Sequence, residues 1–179
     1  MRNGEDVGMK DEVEGAEFYT HQYRIVGSVR TGGQRLTDLL NDDLTSALDL
    51  TDVEVARLLT PKEVVASHPS AVLEKQGILF AIGFEEGARV AERRFYKHVD
   101  TREWDVFITV PSFELTGKFH VRGTGDLRTM LLTWTGQFIP LTQAKAVFTL
   151  LPEISFTGLA IIVNRSHIEV ICTNRKPGL

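Results

Sequence analysis

The sequence predicts a mainly β fold with short helices, built as a tandem duplication of one small barrel-like or half-barrel unit. Three observations carry this. Short apolar runs alternate with polar residues and end at glycine or Asn/Asp turns, the pattern of strands with one face on a core. Only brief stretches have helical spacing. Blocks of similar sequence recur in the same order in the two parts of the chain, which marks an internal repeat.

The repeat can be set out residue by residue. Ile25-Val26-Gly27-Ser28-Val29 lies over Leu115-Thr116-Gly117-Lys118-Phe119. One added residue in the following loop brings Leu39-Leu40 onto Met130-Leu131. The same register carries Leu48-Asp49-Leu50-Thr51-Asp52-Val53 onto Ile139-Pro140-Leu141-Thr142-Gln143-Ala144. A fourth block sets Gly77–Ile82 over Gly158–Val163. The chain then divides into an acidic tail, 1–16, a first β-rich repeat, 17–103, and a second, 104–179. A unit this small covers only roughly 60% of the surface its unfolded chain exposes, so the two repeats are expected to share one hydrophobic core.

Each element has a local reason. Residues 1–16 hold Glu5, Asp6, Asp11, Glu12 and Glu14 among three glycines, with little to bury, and read as a disordered tail. Tyr23–Arg30 alternates and runs into Thr31-Gly32-Gly33, a strand followed by a turn. Arg35–Asn41 puts Leu36, Leu39 and Leu40 on one helical face, and Asn41-Asp42-Asp43 stops it. Ala47–Leu59 is a second strand, after which Pro61-Lys62-Glu63 is expected to open a short helix through Ala66. Ile78–Phe84 reads as a buried strand, and Val90–Val99 as a more polar one anchored by Phe95 and Val99. Trp104–Val110 opens the second repeat. Leu159–Val163 and His167–Thr173 flank Asn164-Arg165-Ser166 as an expected hairpin.

The totals narrow the function classes. A net charge of -4 argues against general affinity for nucleic-acid backbone, which depends on clustered Lys and Arg. The one cysteine, Cys172, excludes an intrachain disulfide and a cysteine-based zinc site. No run approaches the roughly 18 apolar residues of a membrane span, and the acidic start lacks a secretory pattern. A cytoplasmic protein without membrane contact is the expectation.

Val26–Asn41, with its Gly27-Ser28-Val29-Arg30 and Arg35-Leu36-Thr37-Asp38-Leu39-Leu40-Asn41, followed by Leu48-Asp49-Leu50-Thr51-Asp52, resembles an uncharacterised bacterial domain family. That family has a Gly-x-Val-Arg, Arg-Leu-Ser/Thr-Asp-x-Leu-Asn, Leu-x-Leu-Thr-Asp pattern and implies no chemistry. Ile161–Val170 also resembles the closing strand-turn-strand of small Sm-like barrels, with Asn164-Arg165-Ser166 where those have Arg-Gly.

Arg35, Asp38 and Asn41 lie three apart, so a helix aligns them in one polar stripe opposite the leucines. The stripe either binds an anion or carboxylate through Arg35, or is structural, with Asp38 pairing Arg35 and Asn41 capping the helix. The second repeat has Asp126, Thr129 and Leu132 there. Thr31-Gly32-Gly33 offers backbone amides to an anion or makes a tight turn, and the glycine-rich counterpart Arg122–Asp126 favours the turn. No phosphate loop, dinucleotide fingerprint or His-Glu-x-x-His occurs. His98 and Asp100 can share a strand face, but no nucleophile motif accompanies them. Arg89, Arg93, Arg94 and Lys97, interleaved with Phe95 and Tyr96, suit single-stranded nucleic acid, or else a solvated surface paired with nearby glutamates.

The reading is a non-catalytic binding or regulatory module without cofactor or metal. It engages a small ligand or protein partner at the junction of its repeats through Arg35, Asp38, Asn41, Asn164 and Arg165. Uncovered strand edges favour a homo-oligomer. The alternatives are an Sm-like nucleic-acid-binding protein, needing Arg93, Arg94, Lys97, Arg122 or Arg165 on one face, and an enzyme in which His98 or His120 meets a carboxylate.

Overall fold

The computed structural model describes residues 12–84, 101–122 and 127–174, and they are mainly β. The first half runs β1 (Val13–Tyr19), β2 (Tyr23–Arg30), helix α1 (Leu36–Leu40), β3 (Ala47–Arg57), β4 (Val64–Glu74), a 3-10 turn (Lys75–Gly77) and β5 (Phe80–Gly83). The second half runs β6 (Thr101–Val110), β7 (Phe113–Arg122), helix α2 (Leu127–Thr133), β8 (Phe138–Phe148), β9 (Ser155–Asn164), a 3-10 turn (Arg165–His167) and β10 (Val170–Thr173). The order of element types is the same in both. All ten strands join one antiparallel sheet, ordered β10-β6-β7-β8-β9-β5-β1-β2-β3-β4. Each half is therefore arranged fifth, first, second, third, fourth, and the two meet where β5 pairs with β9.

A β-bulge falls at the same place in each half. Pairing of β2 with β3 shifts between Val26 and Ser28, so Gly27 faces two residues, Asp52 and Val53. Pairing of β7 with β8 shifts between Thr116 and Lys118, so Gly117 faces Gln143 and Ala144. The extra residue is left-handed in both, with φ 52° at Asp52 and 48° at Gln143. The glycines are there because backbone approaches closely: a Cβ would stand 3.3 Å from the Thr51 carbonyl at Gly27 and 3.1 Å from the Thr142 carbonyl at Gly117.

Several sequence expectations are corrected. The fourth repeat block joined strands in different positions: Gly77–Ile82 leads through β5, the fifth strand of its half, whereas Gly158–Val163 lies in β9, a fourth strand. They look alike because they pair with each other at the junction and are both enclosed there. The expected closing hairpin is absent too, since β9 pairs with β8 and β5 while β10 pairs with β6. The 3-10 turn between them carries the chain across the sheet. Pro61-Lys62-Glu63 forms a turn rather than a helix, and β4 starts at Val64. β1 begins at Val13, inside the stretch read as tail. The expected Val90–Val99 strand lies outside the described residues.

The hydrophobic interior is two clusters rather than one. The first half buries Phe18, Val29, Leu36, Leu40, Leu48 and Leu50, joined by Phe138 and Ile162 from the second. The second half buries Trp104, Ile108, Phe113, Leu115, Phe119 and Leu141, joined by Tyr19, Leu58, Leu79, Phe80 and Ile82 from the first. Each core is thus completed by residues of the other half, which ties the halves through apolar burial worth about 25 cal/mol per Å².

Candidate functional site

The junction has two sides, and the sequence-predicted residues gather on one. Asn41 ends α1 and crosses to the second half: its Nδ2 donates to the Phe138 carbonyl at 3.0 Å, and its Oδ1 accepts from the Phe138 N–H at 2.7 Å. Asn164, fully buried at the end of β9, crosses the other way, its Nδ2 donating to the Ile78 carbonyl at 2.9 Å. Its Oδ1 accepts from the Ser166 N–H at 3.0 Å and so caps its own 3-10 turn. Arg165 donates from Nη1 to the Trp134 carbonyl at 2.8 Å, just past α2. Arg35 and Asp38 lie at the start and middle of α1, with Asp38 exposed. The structure brings Asn41, Asn164 and Arg165 together at the junction as fastenings between chain segments, and leaves Arg35 and Asp38 on the helix beside it.

Sequence reasoning missed Lys75. It opens the first 3-10 turn as Arg165 opens the second. Its buried ammonium donates to the Leu39 carbonyl at 2.9 Å, the Asp42 carbonyl at 2.8 Å and Thr45 Oγ1 at 3.0 Å, using all three of its donors. Burial lowers its pKa below the usual lysine value, against the opposing pull of Asp42 and Asp43. Each 3-10 turn therefore opens with a cation that donates to carbonyls at or just past the C-terminal end of its own half's helix, the negative end of the helix dipole. The signal was available as a cation following the end of the fourth strand in each half.

The other side of the junction is an open cleft of about 710 Å³ with walls from both halves. Glu17, Arg24, Lys62 and Glu63 come from the first half, and Glu153 and Phe156 from the second. Arg24 grips Glu17 with two nitrogens, Nη2 at 2.5 Å from Oε1 and Nε at 3.2 Å from Oε2, and also reaches the Pro61 carbonyl at 3.3 Å. Burial alone would lower the Arg24 pKa, but the bonds and charge of Glu17 outweigh it, and the guanidinium is held in its charged form. The Tyr19 hydroxyl donates to Glu17 from beneath, with its ring packed on Phe80 and Phe156. Burial first, then the Glu17 charge, raises the Tyr19 pKa far above its ordinary value. The cleft thus has a fixed, neutralised floor. Around it Lys62, Glu63 and Glu153 are exposed and offer charges of both signs. None of these residues reads as a site in the sequence, because the cleft is assembled from strands and turns distant along the chain.

His120 Nε2 lies 2.8 Å from Thr142 Oγ1, and His167 Nε2 lies 2.8 Å from the Gln76 carbonyl oxygen. Among the described residues no three His, Cys, Asp or Glu side chains stand close enough to hold a metal ion, and no helix is long and apolar enough to cross a membrane. The His98–Asp100 pair, the Arg89–Lys97 basic-aromatic segment and the Gly123–Gly125 turn lie outside the described residues. Comparison with family models, with curated proteins and with solved structures gave no match.

Proposed function

We propose that this chain is a non-catalytic binding module made of two copies of one five-stranded unit, which takes a small polar ligand or a partner segment at their junction. The observation that carries it is the cleft, whose walls come from both halves and whose rim sets Lys62 against Glu63 and Glu153. A ligand with both an amine and a carboxylate meets complementary charges there, above a floor whose own charges are already paired. The copy reading is supported by the shared element order and the bulge at Gly27 and Gly117. Asn41 and Asn164 enter it as the residues that hold the two units in register, Arg165 as a fastening within the second, and Arg35 and Asp38 as a flanking polar surface. Self-association and work in the cytoplasm belong to the same reading, since one cysteine calls for no oxidising compartment. An Sm-like nucleic-acid function is less well supported, because the Arg165 guanidinium is engaged by the Trp134 carbonyl.

The test is thermal unfolding of the full chain with a panel of amino acids and short peptides. A binder raises the midpoint in a saturable way, as any ligand of the folded state must. Lys62→Glu and Glu63→Lys, both at exposed positions, should abolish that rise without moving the ligand-free midpoint. A rise that survives both changes, or no rise with any zwitterion or peptide, would overturn the cleft as the site.

A further inference from the structure

Among the described residues the sheet has two outer edges, those of β4 and β10. Inside the molecule a fifth strand, β5, pairs with a fourth strand, β9, through Phe80↔Val163, Ala81↔Ile162 and Ile82↔Ile161. The edges left over are one of each kind, a fourth strand from the first half and a fifth from the second. Register makes the correspondence specific. Counted from the 3-10 turns opened by Lys75 and Arg165, Phe80 corresponds to Val170 and Ile82 to Cys172, while Val163 corresponds to Leu73 and Ile161 to Ala71. Pairing inside each half agrees: Tyr19↔Phe80 is matched by Thr109↔Val170, and Leu48↔Leu73 by Ile139↔Val163.

Burial separates the covered pair of edges from the uncovered pair. At the internal junction Phe80 and Ile82 cross into the core of the second half, and Ile162 crosses into the core of the first. The corresponding residues on the outer edges are apolar and wet, with Val170 50% and Val72 69% exposed and Cys172 exposed. They stand beside partly buried Ile171 on one edge and Leu73 and Ala71 on the other, each packed on its own core. An uncovered strand edge with apolar side chains is a template for another strand.

We propose that β10 of one molecule adds antiparallel to β4 of a second copy of this chain, in the register Val170↔Leu73, Ile171↔Val72 and Cys172↔Ala71. The contact repeats the β5–β9 junction between molecules, with Val170 and Cys172 entering the neighbour's first-half core and Val72 covering the donor's Ile171. The occupant is a second copy because both complementary edges are on the same chain. Such a head-to-tail contact leaves one edge of each kind open after every addition, so copies continue into a ring, or a filament if the rotation does not close. Pro69, which has no N–H to give, lies upstream of the paired stretch and limits pairing to the few residues used internally. This inference rests on the reading of the two halves as copies of one unit.

The single cysteine makes the register testable. Antiparallel partners stand about 4.5–5.5 Å apart at Cα, which a disulfide can span. Full-length A71C under mild oxidation should give a ladder of covalent multimers on non-reducing gels, and the wild type, A71C/C172S and S67C should not. Val72→Lys, at an exposed position, should lower the mass measured by light scattering to that of the monomer. A wild-type chain that stays monomeric without crosslinking in A71C, or covalent dimers from A71C/C172S, would overturn the proposal. I82C/I161C in a C172S background separates the two levels: an intrachain disulfide there with no A71C ladder removes only the association. Failure of both removes the copy reading as well.

Discussion

Asn41 and Phe138 exchange a donor and an acceptor, the carboxamide at the end of α1 standing where a strand partner would stand for the first residue of β8. A side-chain amide offers one N–H and one C=O, which is what an unpaired peptide group requires. Asn41→Leu leaves both backbone groups of Phe138 without these partners and should cost about 2–6 kcal/mol, from a desolvation penalty of about 1–3 kcal/mol for each. N41D keeps the acceptor but sets a carboxylate against the Phe138 carbonyl. The pKa of the introduced acid is then raised in the folded state, so its stabilisation is present below the unfolded value and is lost as pH rises through the folded one. Urea unfolding at neutral and at mildly acidic pH should find N41D weak in the first and recovered in the second. Equal stability to wild type at neutral pH would show that the fastening is dispensable.

Lys75 and Lys118 should respond oppositely to the same change. Lys75 spends its three donors on Leu39, Asp42 and Thr45 in a buried site, so Lys75→Met removes all three hydrogen bonds at once and should cost about 2–3 kcal/mol. Lys118 meets Glu103 at 2.8 Å on the open surface, where such pairs contribute about 1 kcal/mol or less, and Lys118→Met should be nearly silent. Denaturant midpoints of the two variants decide it, and similar losses would contradict the burial argument.

Gly117→Ala should be worse than Gly27→Ala although both sit opposite a bulge. The new Cβ at Gly117 would lie 3.0 Å from the Ala144 Cβ and 3.1 Å from the Thr142 carbonyl, whereas at Gly27 the nearest backbone atom is 3.3 Å away. A cost of about 1–3 kcal/mol is expected at Gly117, since overpacked backbone has nowhere to move. The bulge residues offer the converse test: Gln143→Gly removes the strain of a left-handed non-glycine and should be neutral or stabilising, with less gain at Asp52→Gly because Asp tolerates that region. Calorimetric midpoints read both.

Local chemistry carried the fold a long way. Alternation placed β2, an apolar run placed β5, strand composition placed the later part of β6, and the leucine spacing placed α1, because these patterns reflect which face each residue buries. The aligned blocks set Gly27 on Gly117 and Asp52 on Gln143, but only the strand pairing reveals a bulge at both places. What failed was pairing at a distance. β5 and β9 were matched as equivalents because enclosure at the junction gives two different strands the same composition, and β9 and β10 were joined as a hairpin because proximity in sequence says nothing of a turn that crosses a sheet. The cleft was illegible for the same reason, since Glu17, Lys62 and Glu153 meet only after the whole sheet has formed. Asn41 and Asn164 are expected from the sequence to meet a ligand, whereas their amides bond to Phe138 and Ile78, backbone partners that residue type alone does not reveal.

Tyr19 gives the fold a dependence on alkaline pH. Its ring is fully buried between Phe80 and Phe156, and its hydroxyl donates to Glu17, which Arg24 holds. Burial and then the Glu17 charge raise its pKa, so above the unfolded value of about 10 the unfolded chain has lost a proton that the folded chain keeps. The unfolded state then binds fewer protons, and stability falls as pH rises. Below that value the contribution is fully present. Tyr19→Phe should cost about 1 kcal/mol at neutral pH for the lost hydrogen bond, and should flatten the decline of unfolding free energy above roughly pH 10. The Tyr23→Phe/Tyr96→Phe variant leaves Tyr19 as the one tyrosine, so phenolate absorbance reports it alone. That signal should appear only as the protein unfolds; a titration at the ordinary tyrosine pKa in the folded state would mean that Tyr19 is not sealed beneath the cleft.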